Sequence, residues 1–151
     1  MMLYVKGDLI QALKQGSVQC IAHSCNCFNT MGSGVALAIK NAFPEAYEAD
    51  CKTVKGDEKK LGGFTMAATV NGYVFNLYGQ YNYGKDGKTY TNYDALESAF
   101  RNMAHKLRGI GFTGTIGLPK IGAGTGGGKW EVIEEIIREE LKGWEVKIYE
   151  L

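Results

Sequence analysis

The sequence predicts an α/β fold in which a mixed, six-stranded sheet lies between helical layers. Three observations carry that expectation. Short β-rich apolar runs alternate with runs of helical period along most of the chain. The dipeptide Asn71-Gly72 separates two β-rich runs, which puts one antiparallel hairpin into a sheet otherwise joined by crossovers. Two glycine-rich stretches, Gly32 to Gly34 and Gly122 to Gly128, each follow a strand-like run and precede a helix-like one. In such folds ligands sit outside the carboxyl ends of the strands, where both stretches belong.

Leu3-Tyr4-Val5 reads as the first strand. Asp8 then stands at an N-cap position ahead of Leu9, Ile10 and Leu13, which share a helical face, and that short helix ends near Gly16. Val18 to Ser24 is an apolar, central strand. Val35 to Ala42 reads as a buried helix stopped by Phe43-Pro44, and Pro44 opens a further helix over Glu45 to Val54. Gly56 to Lys60 is a charged loop. Phe64 to Val70 and Tyr73 to Tyr81 form the hairpin strands, and Tyr81 to Thr91 is a loop rich in Gly, Lys, Tyr and Asn. Thr91 or Asn92 caps a helix whose inner side is Leu96, Phe100, Met103 and Leu107. Thr115 to Leu118 is a short buried strand. Trp130 to Leu141 is a helix with Val132, Ile133, Ile136, Ile137 and Leu141 turned inward, and Glu145 to Tyr149 is the last strand.

The 151 residues suit one domain over 1–151, with one core, and a monomer is expected. Apolar residues make up 45% and charged ones 22%, as in ordinary soluble domains. A net charge of +1 gives no push toward nucleic acid or anionic membranes. No signal-peptide core or membrane-length apolar run is read, so a cytoplasmic protein with reduced thiols is expected. Cys25-x-Cys27 is not zinc spacing, and all four cysteines are expected to be packed thiols. No metal and no cofactor is expected.

A strand, a glycine loop and a helix in that order build an anion site. Glycine lets backbone approach the ligand, and the first N–H groups of the helix lack intrahelical partners. Gly32 and Gly34 equally suit a plain tight turn. The later stretch offers no Lys-Ser/Thr pair, since Lys129 precedes Trp130, so it is not the P-loop of a nucleotide hydrolase. Two such loops facing one crevice fit a diphosphate. Between strand and first loop lies a polar knot, His23-Ser24-Cys25-Asn26. His23 offers an imidazole titrating near neutral pH for proton transfer, or a structural hydrogen bond; His105 is read as a surface residue.

Gly7-Asp8-Leu9, Asn26 followed by Gly32-Ser33-Gly34-Val35-Ala36, and Ile121 to Gly127 together resemble the macro domain family, over essentially the whole chain. His23-Ser24-Cys25-Asn26-Cys27, Phe43 to Tyr47 and Leu118 to Ile121 are most similar to its ADP-ribose 1″-phosphate phosphatase branch. The resemblance implies a three-layer α/β/α fold that binds ADP-ribose or ADP-ribose 1″-phosphate. It also implies hydrolysis of the terminal phosphate, with His23 and Asn26 as catalytic residues. Asp8 and Leu9 would take adenine, with Tyr149 nearby, while Asp8 also serves as a cap and Tyr149 as a strand aromatic. Gly32, Ser33, Gly34 and Val35 would form the first phosphate loop, and Ile121, Gly122, Ala123, Gly124, Thr125 and Gly126 the second. A neighbouring branch removes ADP-ribose from glutamate side chains with a Lys and an Asp; here Gln80 and Gly126 stand in those places. Gly126 also replaces an aromatic residue common in other macro domains. A non-catalytic reader, or a hydrolase acting on ADP-ribosylated protein or nucleic acid, are the other functions that the resemblance admits.

Overall fold

The structure is a computed structural model and describes residues 1–84, 86–124 and 126–151. Its sheet has six strands in the order β1-β6-β5-β2-β4-β3. The strands are β1 Met2–Lys6, β2 Cys20–Ser24, β3 Phe64–Thr69, β4 Gly72–Leu77, β5 Ile116–Leu118 and β6 Val146–Glu150. All neighbours are parallel except β3 and β4, the expected hairpin. The helices are α1 Leu9–Lys14, α2 Gly34–Ala42, α3 Pro44–Cys51, α4 Tyr93–Gly109 and α5 Trp130–Glu140, with a 3-10 turn over Glu58–Lys60.

Side chains alternate across β2 and β4, and each sheet face buries its own core. Ile21, Val74 and Tyr78 pack with Leu13, Ile39, Phe43 and Ala46 beneath α1, α2 and α3. Ala22, Phe75 and Leu77 pack with Leu96, Phe100, Met103, Ile133 and Ile137 of α4 and α5. The fold is therefore the α/β/α sandwich that the alternation of elements predicted. Because five of the strands run the same way, their carboxyl ends open on one edge, and both glycine stretches emerge there.

Local chemistry sets the element ends. Asp8 caps α1 by accepting from Ile10 N at 2.8 Å, and Asn92 caps α4 by accepting from Ala95 N at 3.0 Å. Pro44 starts α3 as predicted, but the helix ends at Cys51, not Val54. The hairpin loop is Val70-Asn71, and Gly72 already belongs to β4. Thr69 Oγ1 draws the turn back by accepting from Asn71 N and Gly72 N at 3.1 and 3.2 Å. β4 stops at Leu77, opposite the first residue of β3, and the chain beyond it pairs locally, Tyr78 with Gly62 and Gly63 and Gln80 with Thr91.

Three burial expectations change. α2 sends only Ile39 into the core, while Val35 and Leu37 remain 40% and 38% exposed, because its first turn walls the crevice described below. Val132 of α5 faces solvent, off the stripe formed by Ile133, Ile136 and Ile137. Cys20, Cys25 and Cys27 are buried, but Cys51, at the last turn of α3, is exposed.

Candidate active site at the carboxyl edge of the sheet

Two chambers lie side by side at the carboxyl edge. The larger, about 510 Å³, is lined by Ser24, Cys25, Asn26, Thr30, Ser33, Asp50, Gln80 and Tyr83, among others. The smaller, about 300 Å³, is walled by His23 and by both glycine stretches, through Ser33 to Val35 and through Ile121, Gly122, Gly124 and Gly126. Ser24, Ser33, Ala36 and Gln80 border both, so the two form one groove.

The first glycine loop meets the requirements of an anion site. Ser33 stands at the N-cap of α2, yet its side chain makes no capping bond, so the opening N–H groups of the helix remain available to the smaller chamber. Gly34 has φ +57°, and a side chain there would project into open space. The second loop is pinned from behind. Gly126 O accepts from Tyr90 N at 2.7 Å and Thr91 N at 3.0 Å, and Thr91 Oγ1 donates to Gly122 O at 2.7 Å. A Cβ on Gly126 would sit 2.5 Å from Thr91 Oγ1 and 2.8 Å from Gly122 O. Neither an aromatic residue nor a carboxylate fits there, which explains the glycine.

Of the predicted site residues, Asn26, Gly32, Ser33, Gly34, Val35, Ile121, Gly122, Gly124 and Gly126 line the groove. Ala123 instead packs on the core beneath α5. Thr125 lies outside the described residues. Asp8, Leu9 and Tyr149 lie outside both chambers: Asp8 is exposed at its cap, Leu9 is buried, and Tyr149 lies against Gly7.

His23 and Asn26 are not brought together by any hydrogen bond among the described residues. Asn26 Oδ1 accepts from Phe28 N at 2.8 Å and its Nδ2 donates to Thr30 Oγ1 at 2.8 Å, which holds the loop and leaves one amide hydrogen for the larger chamber. His23 faces the opposite side of β2 from Ser24, at 2% residual exposure. Its Nε2 lies 2.7 Å from Asn76 Oδ1. Asn76 Nδ2 donates to Ala46 O at 2.8 Å and Thr65 Oγ1 at 3.0 Å, so Asn76 Oδ1 is the acceptor and His23 Nε2 carries the hydrogen. Burial lowers the imidazole pKa to about 4, with the Asn76 bond pulling the other way. With the ring neutral near neutral pH and its Nε2 hydrogen engaged by Asn76 Oδ1, His23 ties the strand end to β4 while it walls the smaller chamber.

Cys25, His23 and Asn76 form a Cys/His/Asn trio in outline only. Cys25 Sγ is 3.5 Å from His23 Nε2 and 3.8 Å from Nδ1, nearly equidistant, as over the ring and not along a lone pair. Burial also pushes the thiol well above its ordinary range while it pushes the imidazole down, so no thiolate–imidazolium pair forms.

The groove also holds residues that sequence reasoning missed. Ser24 Oγ is enclosed with no hydrogen-bond partner among the described residues, and Ser24 borders both chambers. Gln80, noted only as a departure, sits at their junction with Nε2 donating to Asn82 O at 2.8 Å. Asp50 borders the larger chamber at 1% exposure, with Oδ1 accepting from Tyr78 Oη at 2.6 Å. Lys60 Nζ lies nearby but is committed to Asn29 Oδ1 at 2.6 Å and Cys27 O at 3.0 Å.

Comparison with known proteins places this architecture. The chain is 40% identical over 139 residues to an uncharacterized 17.5 kDa protein of Enterobacteria phage T4, covering 89% of this chain and 86% of that one. It is 30% identical over 168 residues to an ADP-ribose 1″-phosphate phosphatase of Debaryomyces hansenii, covering 92% and 93%. It is 27% identical to a DNA ADP-ribosyl glycohydrolase of Thermus aquaticus, matching 99% of this chain but spanning 41% of that protein. Among solved structures, a Bacteroides thetaiotaomicron protein of unknown function superposes with a TM-score of 0.82 at 30% identity, covering 100% and 98% of the two chains. The macrodomain of Thermus aquaticus DarG superposes at 0.78 and 26% identity, covering 100% and 99%. The family model for the macro domain matches residues 22–137, the span from the end of β2 to the inner face of α5 that builds both walls of the groove, and this chain belongs to the macro domain family.

Proposed function

We propose that this chain binds ADP-ribose along the groove and hydrolyses ADP-ribose 1″-phosphate to ADP-ribose and phosphate. The observation that carries the reading is the meeting of both glycine loops in one groove, with the unmet N–H groups of α2 facing the smaller chamber. Those groups and the second loop suit a diphosphate, because backbone donors and the helix dipole stabilise fixed negative charge. The distal ribose and its 1″ substituent then occupy the larger chamber, where the free amide hydrogen of Asn26 and the orphan hydroxyl of Ser24 supply orienting contacts. Adenine extends toward Asp8 and Tyr149. The similarity to a phosphatase over nine-tenths of both chains supports the substrate.

A second reading, release of ADP-ribose from nucleic acid, has its own support. Asp50 is the only charged side chain among the described residues lining the larger chamber, and no lysine or arginine there awaits a terminal phosphate. The similarity to a DNA ADP-ribosyl glycohydrolase points the same way. One experiment separates the readings: ADP-ribose titration by calorimetry, with product release measured from ADP-ribose 1″-phosphate and from an ADP-ribosylated oligonucleotide. Phosphate release supports the first reading, release of ADP-ribose from the oligonucleotide the second. Binding without either product would make the chain a reader, and no binding would overturn all three.

A further inference from the structure

We propose that Asp50 is the general acid of the groove, delivering a proton to the atom bonded to C1″ of the distal ribose. The inference rests on reading the groove as a hydrolase site for ADP-ribose derivatives, and it offers a proton donor other than His23, whose Nε2 hydrogen is engaged by Asn76.

Asp50 sits in the last turn of α3, enclosed on the protein side and open to the larger chamber. Tyr78 holds its Oδ1, and no hydrogen bond among the described residues engages Oδ2. Behind it runs a file of neutral groups. Tyr78 Oη and Thr65 Oγ1 are 3.0 Å apart, Thr65 Oγ1 accepts from Asn76, and Asn76 accepts from His23. Each partner in the file is satisfied by its neighbour, so the carboxyl is fixed in place. The strand end that borders the smaller chamber is tied to the acid in the larger one.

The surroundings shift Asp50 toward the acid form. Around Asp50 stand Tyr78 of β4, Lys60 of the 3-10 turn, Cys25 and Cys27 of the loop after β2, and Tyr47 and Cys51 on α3 itself. Burial raises the carboxyl above its ordinary range, against smaller opposing effects of the Tyr78 bond and Lys60. An ionised Asp50 would face a terminal phosphate with Lys60, itself committed to Asn29 and Cys27, as the nearby cation, whereas a protonated one donates a hydrogen bond to the same phosphate. The chemistry then balances. Water adds to phosphorus, the P–O1″ pair returns to O1″, and O1″ takes the proton from Oδ2. The surplus proton of the water restores the carboxyl through solvent. Were the scissile bond C1″–X of a modified macromolecule, water would add to C1″ and X would take the same proton.

The test is the pH dependence of turnover for the wild type, Asp50→Asn and Asp50→Glu, on both substrates, with ADP-ribose titration of each. The wild type should lose activity as pH rises through the Asp50 pKa, because the acid form is the active one. Asp50→Asn should fall by roughly 10²–10⁴-fold and lose that limb, with ADP-ribose affinity within a few-fold. Asp50→Glu should regain part of the rate with the limb displaced. Wild-type turnover and limb in Asp50→Asn would overturn the inference and leave the hydrolase reading standing. A wild type that turns over neither substrate would overturn the hydrolase reading and the inference with it. If Asp50→Asn does not fold, Asp50→Glu decides: a displaced limb supports the assignment and an unmoved one overturns it.

Discussion

Acid should destabilise this fold through His23 by an amount that can be worked out. In the folded chain burial holds the imidazole pKa at about 4, against 6.5 unperturbed. Between those values the unfolded chain binds a proton that the folded chain refuses. Stability therefore falls as pH falls from 6.5 toward about 4, and the full contribution is present above 6.5. At 1.36 kcal/mol per pH unit the whole interval is worth about 3 kcal/mol. Asp50 acts in the opposite sense, since a carboxyl raised in the fold gains protons more readily folded than unfolded. Comparing the wild type with His23→Gln cancels Asp50, because both proteins carry it. Glutamine keeps an uncharged N–H donor within reach of Asn76 Oδ1. Urea unfolding at about pH 7 and about pH 4.5 should show the wild type losing about 2–3 kcal/mol more than the variant. With a urea slope of roughly 2 kcal/mol per molar, the wild-type midpoint should drop by about 1 M more. Equal drops in the two proteins would refute the neutral, enclosed imidazole.

Other perturbations read separate parts of the groove. Asp8→Ala should weaken ADP-ribose binding by about 1–3 kcal/mol and, by removing the α1 cap, cost about 1 kcal/mol of stability; calorimetry and urea unfolding measure the two, and unchanged affinity would remove Asp8 from the site. Gly34→Val forces a β-branched residue to φ +57° and fills open space in the groove, so ADP-ribose binding should be abolished, and normal binding in a folded variant would reduce the loop to a turn. Ser24→Ala should leave thermal stability unchanged or slightly raised, because the hydroxyl has no partner to lose, while ADP-ribose affinity falls; lower stability with full affinity would refute its role as a ligand contact.

What could be foreseen follows from the range of the forces involved. The cap at Asp8, the proline start of α3, the hairpin and the two glycine loops are decided by residues within a few positions of one another, and all four are in place. The family resemblance, carried by the same glycine loops, held for the same reason. Asp50 could not be read that way. In sequence it is one acid in a polar stretch, and only its pairing with Tyr78, 28 positions away, buries it against the groove. Whether His23 pairs with Asn26 was not legible, because nearness along the chain is not contact in space. Alternation turns His23 toward α3 while Ser24, its neighbour, borders both chambers. Val132 and α2 failed on burial because apolarity alone does not say which stripe faces the sheet.

The fastening of the second glycine loop bears on how this protein could change its reaction. Installing the lysine and aspartate of the glutamate-deconjugating branch looks like two substitutions, Gln80→Lys and Gly126→Asp. Yet position 126 is wedged against Thr91 Oγ1 and Gly122 O, and Gln80 Oε1 lies 3.2 Å from where its Cβ would be. The aspartate is accessible only to a lineage that has already shortened residue 91 and let the Gly122 carbonyl shift. Order matters on such a path: Gly126→Asp first disrupts the loop, whereas Thr91→Gly or Thr91→Ala first removes the nearer contact and unties the Gly122 carbonyl, which must still move from 2.8 Å. A directed-evolution search for the second chemistry in this scaffold should therefore begin at Thr91, a residue with no part in either reaction.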